Sequence, residues 1–126
     1  MKKILIIDDA LLDRKLMVGV IKKAGIENEI LQAENAEVAL SLLGQNYRDI
    51  CLIMLDWQMP GMSGLEFMAG VVKVKATSSI PIVMVTASGA NEDKKQAYTV
   101  NPLLAGYVVK PYKAEDLIAT IQSHLS

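Results

Sequence analysis

The sequence predicts a doubly wound α/β domain: a five-stranded parallel sheet in a (βα)5 order, with helices on both faces. Two observations carry this. Short apolar runs alternate with longer amphipathic stretches along the whole chain. Four of the five runs are continuously apolar, as strands covered on both faces are, rather than alternating apolar and polar.

The elements follow in order. Ile4-Leu5-Ile6-Ile7 is the first strand. Leu12, Leu16, Met17, Val20, Ile21 and Ala24 then recur at helical steps, with Gly25 as the stop. Met17 is read as core. Glu29-Ile30-Leu31-Gln32 is polar at both ends and belongs nearer a sheet edge. Asn35 is an N-cap, with Val38, Ala39, Leu42 and Leu43 as the buried stripe and Gly44 as the stop. Ile50 to Leu55 is the third strand, and Leu65, Met68, Ala69 and Val72 stripe the helix after it. Ile82-Val83-Met84-Val85 is the fourth strand. A polar helix from Asn91 to about Thr99 ends at Asn101-Pro102, because a residue before proline avoids helical angles. Gly106 to Val109 is the fifth strand, and Ala114, Leu117, Ile118, Ile121 and Leu125 stripe the last helix, which is expected to end almost at Ser126.

Composition bounds the function. A chain of 126 residues, 52% apolar and 21% charged, suits one folded domain spanning 1–126. No apolar run reaches the ~18 residues that cross a bilayer, so no membrane insertion is expected. The single Cys51 excludes disulfide frameworks and cysteine metal clusters, and a cytoplasmic location is expected. A net charge of −1 argues against a nucleic-acid-binding face.

In a doubly wound sheet, ligands bind beyond the carboxyl ends of the strands. Those ends carry Asp8 and Asp9, then Asp56, Thr86 and Lys110. Singly, each has an ordinary reading: a turn aspartate, a strand threonine, a solvated lysine. Together they would bring three carboxylates, a hydroxyl and an ammonium to one sheet edge. Clustered carboxylates repel one another, and a hard divalent cation relieves that repulsion. Mg²⁺ favours a few carboxylates with water and phosphate oxygens. A carboxylate beside a metal and a lysine can attack phosphorus and form an aspartyl-phosphate.

The stretches Ile7-Asp8-Asp9, Leu55-Asp56-Trp57-Gln58-Met59-Pro60-Gly61-Met62-Ser63-Gly64-Leu65-Glu66, Val85-Thr86-Ala87 and Gly106-Tyr107-Val108-Val109-Lys110-Pro111 resemble the receiver domain of two-component response regulators, the CheY-like family. The resemblance covers essentially the whole chain. It implies that Asp56 is the phosphoacceptor, served by a sensor histidine kinase or a histidine phosphotransfer protein. It implies Mg²⁺, with Mn²⁺ as a substitute, on Asp8, Asp9, Asp56 and the Gln58 main-chain carbonyl, Asp8 through water. Lys110 would bond a phosphoryl oxygen, and Ala87 would supply a backbone N–H. Thr86 would move toward the phosphoryl group, and Tyr107 would turn inward behind it. Lys110-Pro111 is a candidate cis bond.

Such a protein is no enzyme in the usual sense, but a signalling phosphoacceptor with self-catalysed phosphorylation and autodephosphorylation. Its output surface would be the fourth helix, fifth strand and fifth helix, moved by population shift toward a downstream protein target. Lys94, Lys95 and Tyr98 are candidate exposed residues there; a plain solvated helix face is the alternative. Asp13 and Met17 lie on the first helix, where receivers often meet partners.

Two departures stand out. The resemblance implies that the positions of Gln58 and the small Ser88 often tune the lifetime of the phosphorylated state in receivers. Asn101-Pro102 replaces an Ala-Gly-rich turn, so an altered loop is expected before the fifth strand. A haloacid-dehalogenase-type enzyme would need an aspartate where Gln58 stands. Flavodoxin-type and dinucleotide-binding readings fail because Asp8-Asp9 occupies the place of a phosphate loop. The alternatives kept are a phosphorelay intermediate, passing phosphate to a histidine phosphotransfer protein, and a phosphorylation-independent adaptor. The chain leaves no room for a DNA-binding output domain, so no direct DNA binding is expected and output is expected through protein contact.

Overall fold

The computed structural model describes residues 1–125. Five parallel strands form one sheet in the order β2-β1-β3-β4-β5: β1 (Lys3–Ile7), β2 (Ile30–Ala33), β3 (Ile50–Leu55), β4 (Ile82–Thr86) and β5 (Gly106–Val109). Helices α1 (Leu11–Lys23), α2 (Ala36–Asn46), α3 (Gly64–Lys73), α4 (Asn91–Val100) and α5 (Ala114–Ile121) make the crossovers and the final cover. The predicted fold class is thus the observed one. β2 is an edge strand, as its polar ends imply.

The continuous apolar runs have a direct cause. Successive side chains of a strand point to opposite faces. Ile4 and Ile6 of β1 pack with Met17 and Ile21 of α1 and Leu117 and Ile121 of α5. Leu5 and Ile7 face the other way and join Leu43 of α2, Phe67 and Met68 of α3 and Ala97 of α4. Both faces need apolar groups, so β3 is buried at every position. Each large aliphatic side chain so buried contributes about 1.5–3 kcal/mol.

The helix ends obey local chemistry. Asn35 caps α2 by accepting from the Val38 N–H at 2.8 Å, a contact worth about 1 kcal/mol. Ser63 and Glu66 form a reciprocal capping box at the start of α3. At the end of α1, Gly25 adopts φ +82°, and the Gly25 and Ile26 N–H groups return to the carbonyls of Lys22 and Ile21. That paired return closes the helix as a Schellman motif. Asn101 ends α4, and its side chain accepts from the Leu103 N–H at 3.1 Å, which shapes the loop before β5.

Five expectations fail in detail. Leu12 and Leu16 are 79% and 57% exposed, because α1 turns Met17 and Ile21 into the core, with Val18 and Val20 packed beside them. Gly44 does not stop α2, which runs on to Asn46; the glycine lies on an exposed face where nothing demands a break. The α3 stripe is centred on Phe67, Met68 and Val71; Leu65, Ala69 and Val72 flank it. The β2 pairing begins at Ile30 rather than Glu29, and includes Ala33. The last helix does not reach the end: α5 stops at Ile121 and passes into a 3-10 turn over Gln122–His124, so Leu125 packs on the same core cluster from beyond the helix, and Ser126 lies outside the described residues.

Candidate functional site

The backbone ladder fixes where the strand-end residues stand. The Asp8 N–H donates to the Ala33 carbonyl, the Asp56 N–H to the Ile7 carbonyl, and the Lys110 N–H to the Thr86 carbonyl, all within 3.0 Å. These bonds carry the parallel register one residue beyond each strand. The residues therefore meet at the edge where the order reverses from β1 to β2 and from β1 to β3, the switch point of the fold.

Carboxylate oxygens of Asp8, Asp9 and Asp56 all lie within 4.8 Å of one another. Asp8 is fully buried and Asp56 is 9% exposed, while Asp9 faces solvent. Asp8 Oδ1 accepts from the Ala10 N–H at 2.9 Å, and Asp56 Oδ1 from the Trp57 N–H at 2.8 Å. The Lys110 ammonium sits among the carboxylates. Its Nζ lies 2.6 Å from Asp8 Oδ2, 3.0 Å from Asp13 Oδ2 and 3.6 Å from Asp56 Oδ2. Each of the three carboxylates would offer a hard oxygen donor, with no nitrogen or sulfur among them, so the cluster is compatible with a Mg²⁺-like cation.

Electrostatics follows from burial. Desolvation pushes the Asp56 carboxyl above its usual value and Asp8 adds to this, against Lys110, the Trp57 N–H and the Thr86 hydroxyl. Burial pulls Lys110 down, but its bonds to Asp8 and Asp13 and the charge of Asp56 outweigh that and hold it well above the ordinary lysine value. Lys110 is thus firmly charged at neutral pH.

A cleft of about 420 Å³ opens over these groups and is lined by Asp9, Asp13, Asp56, Gln58, Thr86, Ala87, Ser88 and Lys110. Every residue nominated from the sequence for the strand-end cluster reaches it or lies directly against it. Thr86 is 2% exposed, and its Oγ1 accepts weakly from the Ser88 N–H at 3.4 Å. The Tyr107 hydroxyl donates to the Ser88 carbonyl at 2.7 Å, which ties the half-buried ring to the β4–α4 loop. The Ser88 hydroxyl in turn donates to Asp93. Lys94 is not fully exposed as expected: its ammonium lies 5.6 Å from the centre of the Tyr107 ring and is half-buried there, while Lys95 and Tyr98 are exposed. The Lys110-Pro111 bond is cis.

Three participants escape a reading of strand ends. Asp13 belongs to the site rather than to the α1 surface alone, since it faces Lys110 from the first helical turn. Arg14 donates to the Asp8 main-chain carbonyl at 2.7 Å and to Gln32 at 3.2 Å, joining α1, β1 and β2. Gly64 meets the carboxyl end of β3 so closely that a Cβ would stand 1.9 Å from the Asp56 carbonyl oxygen. The first two come from helix positions, and only the Asp-x-x-x-Asp-Arg spacing from Asp9 hints at them.

Comparison with known proteins agrees with the geometry. The response regulator receiver domain model matches residues 4–122. The phosphate regulon transcriptional regulatory protein PhoB of Pseudomonas aeruginosa is 35% identical over 124 residues, covering 98% of this chain and 52% of its own. The chain thus spans about half the length of the phosphate regulators it matches. A chemotaxis protein CheY homolog of Campylobacter jejuni is 33% identical, with 94% of this chain and 93% of its own covered. Among solved structures, the chemotaxis protein CheY4 of Vibrio cholerae superposes with a TM-score of 0.86 at 29% identity, over 99% of both chains. The Mn²⁺-bound form of response regulator Rcp1 gives 0.79 at 26% identity, over 98% of this chain and 91% of its own. No helix among the described residues is long and apolar enough to cross a membrane. A five-stranded parallel sheet in this order, an acidic cluster at its switch point and a lysine across the cleft accompany a family match over nearly the whole chain: it belongs to the response regulator receiver domains of two-component signalling, in their CheY-like form.

Proposed function

We propose that this receiver works as a phosphorylation-driven switch with Asp56 as its acceptor. The observation that carries the reading is the Lys110 ammonium, 2.6 Å from Asp8 and 3.6 Å from Asp56, beside a three-carboxylate cluster. A phosphohistidine of a sensor kinase or phosphotransfer protein is the donor class. Asp56 Oδ2 attacks phosphorus, the P–N bond to the imidazole breaks, and the freed imidazole takes up a proton. Asp56 Oδ1 stays held by the Trp57 N–H, which orients the free oxygen toward the cleft. Lys110 is 3.6 Å from that oxygen and is placed to take charge from the arriving phosphoryl group. Later attack of water on phosphorus returns free Asp56 and inorganic phosphate, so the chain resets itself without acting on another substrate.

Asp8, Asp9, Asp56 and the main-chain carbonyl of Gln58 would hold Mg²⁺, or Mn²⁺ as in the Rcp1 structure, whose charge when bound neutralises phosphoryl oxygens. The switch lies one layer away. Phosphorylation adds about −1.5 to −2 charge at one point. The Thr86 hydroxyl bonds it, the Ala87 N–H adds a second donor, and the space behind Thr86 admits the Tyr107 ring. Tyr107 then gives up the Ser88 carbonyl and its place under Lys94, and the α4-β5-α5 surface changes. A downstream protein reads that change.

Incubation with a small phosphodonor and Mg²⁺, followed by intact mass, tests the reading. The wild type should gain one phosphoryl mass and Asp56→Asn none; no gain in the wild type, or an equal gain in the variant, overturns it.

A further inference from the structure

Lys110 has three N–H donors, and they face three carboxylates: Asp8, Asp13 and, at longer range, Asp56. A phosphoryl group on Asp56 claims one of these donors. Asp8 is fully buried and holds the Lys110 ammonium at 2.6 Å, whereas the Asp13 side chain, at 3.0 Å, is 42% exposed and free to turn. Asp13 is therefore the arm that Lys110 can release. A released carboxylate beside a new dianion needs another donor.

Tyr112 offers one. Its hydroxyl is buried and, among the described residues, is the one buried side-chain oxygen or nitrogen without a hydrogen-bond partner. Native proteins rarely keep such a group without a use for it. Tyr112, Asp13 and Lys110 line one cleft of about 360 Å³, together with Leu16, Ala87 and Pro111. Burial holds the Tyr112 phenol above its usual pKa, with Lys110 opposing and Asp13 and Asp8 adding, so the hydroxyl keeps its proton and remains a donor.

We infer that Asp13 passes from the Lys110 ammonium to the Tyr112 hydroxyl when Asp56 is phosphorylated, which makes Tyr112 a positioning residue for the phosphorylated state. This rests on the phosphorylation reading above. Asp13 lies in the first turn of α1, and α1 covers the sheet face opposite Phe67 and α3. The exchange therefore carries the state of Asp56 to α1, on the other side of the sheet from the route through Tyr107.

The test uses beryllofluoride with Mg²⁺ as the phosphoryl mimic, titrated against Trp57 fluorescence in the wild type, Tyr112→Phe, Asp13→Ala and the double variant. Tyr112→Phe should weaken binding of the mimic about 3- to 10-fold when Asp13 is present, and less than about twofold in the Asp13→Ala background. Without the mimic, Tyr112→Phe should melt no lower than the wild type, because its hydroxyl has no partner to lose. The near-ultraviolet difference between wild type and Tyr112→Phe should shift to longer wavelength on addition of the mimic. Equal weakening in both backgrounds, no weakening, or a lower melting temperature of Tyr112→Phe alone overturns the exchange and leaves the switch standing. A wild type that neither binds the mimic nor gains phosphoryl mass removes both.

Discussion

At the scale of single residues, Asp56 holds a charge in a place that resists charge. Its carboxyl is raised mainly by burial, so the folded state binds a proton more readily than the unfolded chain does. The stability this represents is present below the ordinary carboxylate value of 3.8 and is lost as pH rises through the folded value. At pH 7 the charge is therefore a burden on the fold. Asp56→Asn should raise the melting temperature by a few degrees at pH 7, and the gain should shrink toward zero as pH falls below about 3.8. Melting curves across pH check this; a variant less stable than the wild type at pH 7 contradicts it. The sequence makes Asp8, Asp9, Asp56, Thr86 and Lys110 legible because strand ends in a parallel sheet share an edge. It does not make Tyr112 or Asp13 legible, because their roles depend on side chains meeting across α1 and the segment after β5.

At the scale of elements, α3 is bound tightly to the strand that carries Asp56. The Gly64 N–H donates to the Trp57 carbonyl at 2.7 Å, and a Cβ on Gly64 would stand 1.9 Å from the Asp56 carbonyl oxygen and 3.0 Å from Trp57 Cα. Backbone cannot give way as a flexible side chain can. Gly64→Ala should therefore cost about 1–3 kcal/mol or more and displace the start of α3. Urea unfolding measures the loss; an unchanged midpoint means the helix start shifts freely. Strand and helix existence were legible from period and caps, as Asn35 shows, whereas the Ser63 capping box emerged only in the structure. Helix faces were less so. Leu12 and Leu16 fit a helical stripe by spacing, yet the core takes Met17 and Ile21 with Val18 and Val20 at its margin and leaves both leucines exposed. Periodicity gives the angle of a stripe but not the width of the surface that covers it. Gly44 reads as a stop because glycine often ends helices, but it sits in open space on α2, which continues to Asn46.

At the scale of the whole molecule, a cation held by Asp8, Asp9 and Asp56 would couple metal to fold. A ligand that binds only the folded chain stabilises it by mass action, about 1.4 kcal/mol at tenfold excess over Kd. Mg²⁺ should raise the melting temperature by a few degrees and quench Trp57, which adjoins Asp56. Asp9→Asn should lose both responses. Chelation should reverse them in the wild type, and a flat titration would show that the carboxylates hold no such cation. The same site spans the chain from end to end. Lys110 and Asp8 are 102 residues apart in sequence, yet 2.6 Å apart in space. Closing so long a loop is entropically unfavourable until the intervening strands are in place. During vectorial synthesis the acidic edge must therefore wait for β5, the last strand made, before its counter-charge arrives. The nascent chain cannot assemble this charged cluster early, and only a completed sheet brings the Lys110 ammonium to the buried carboxylates.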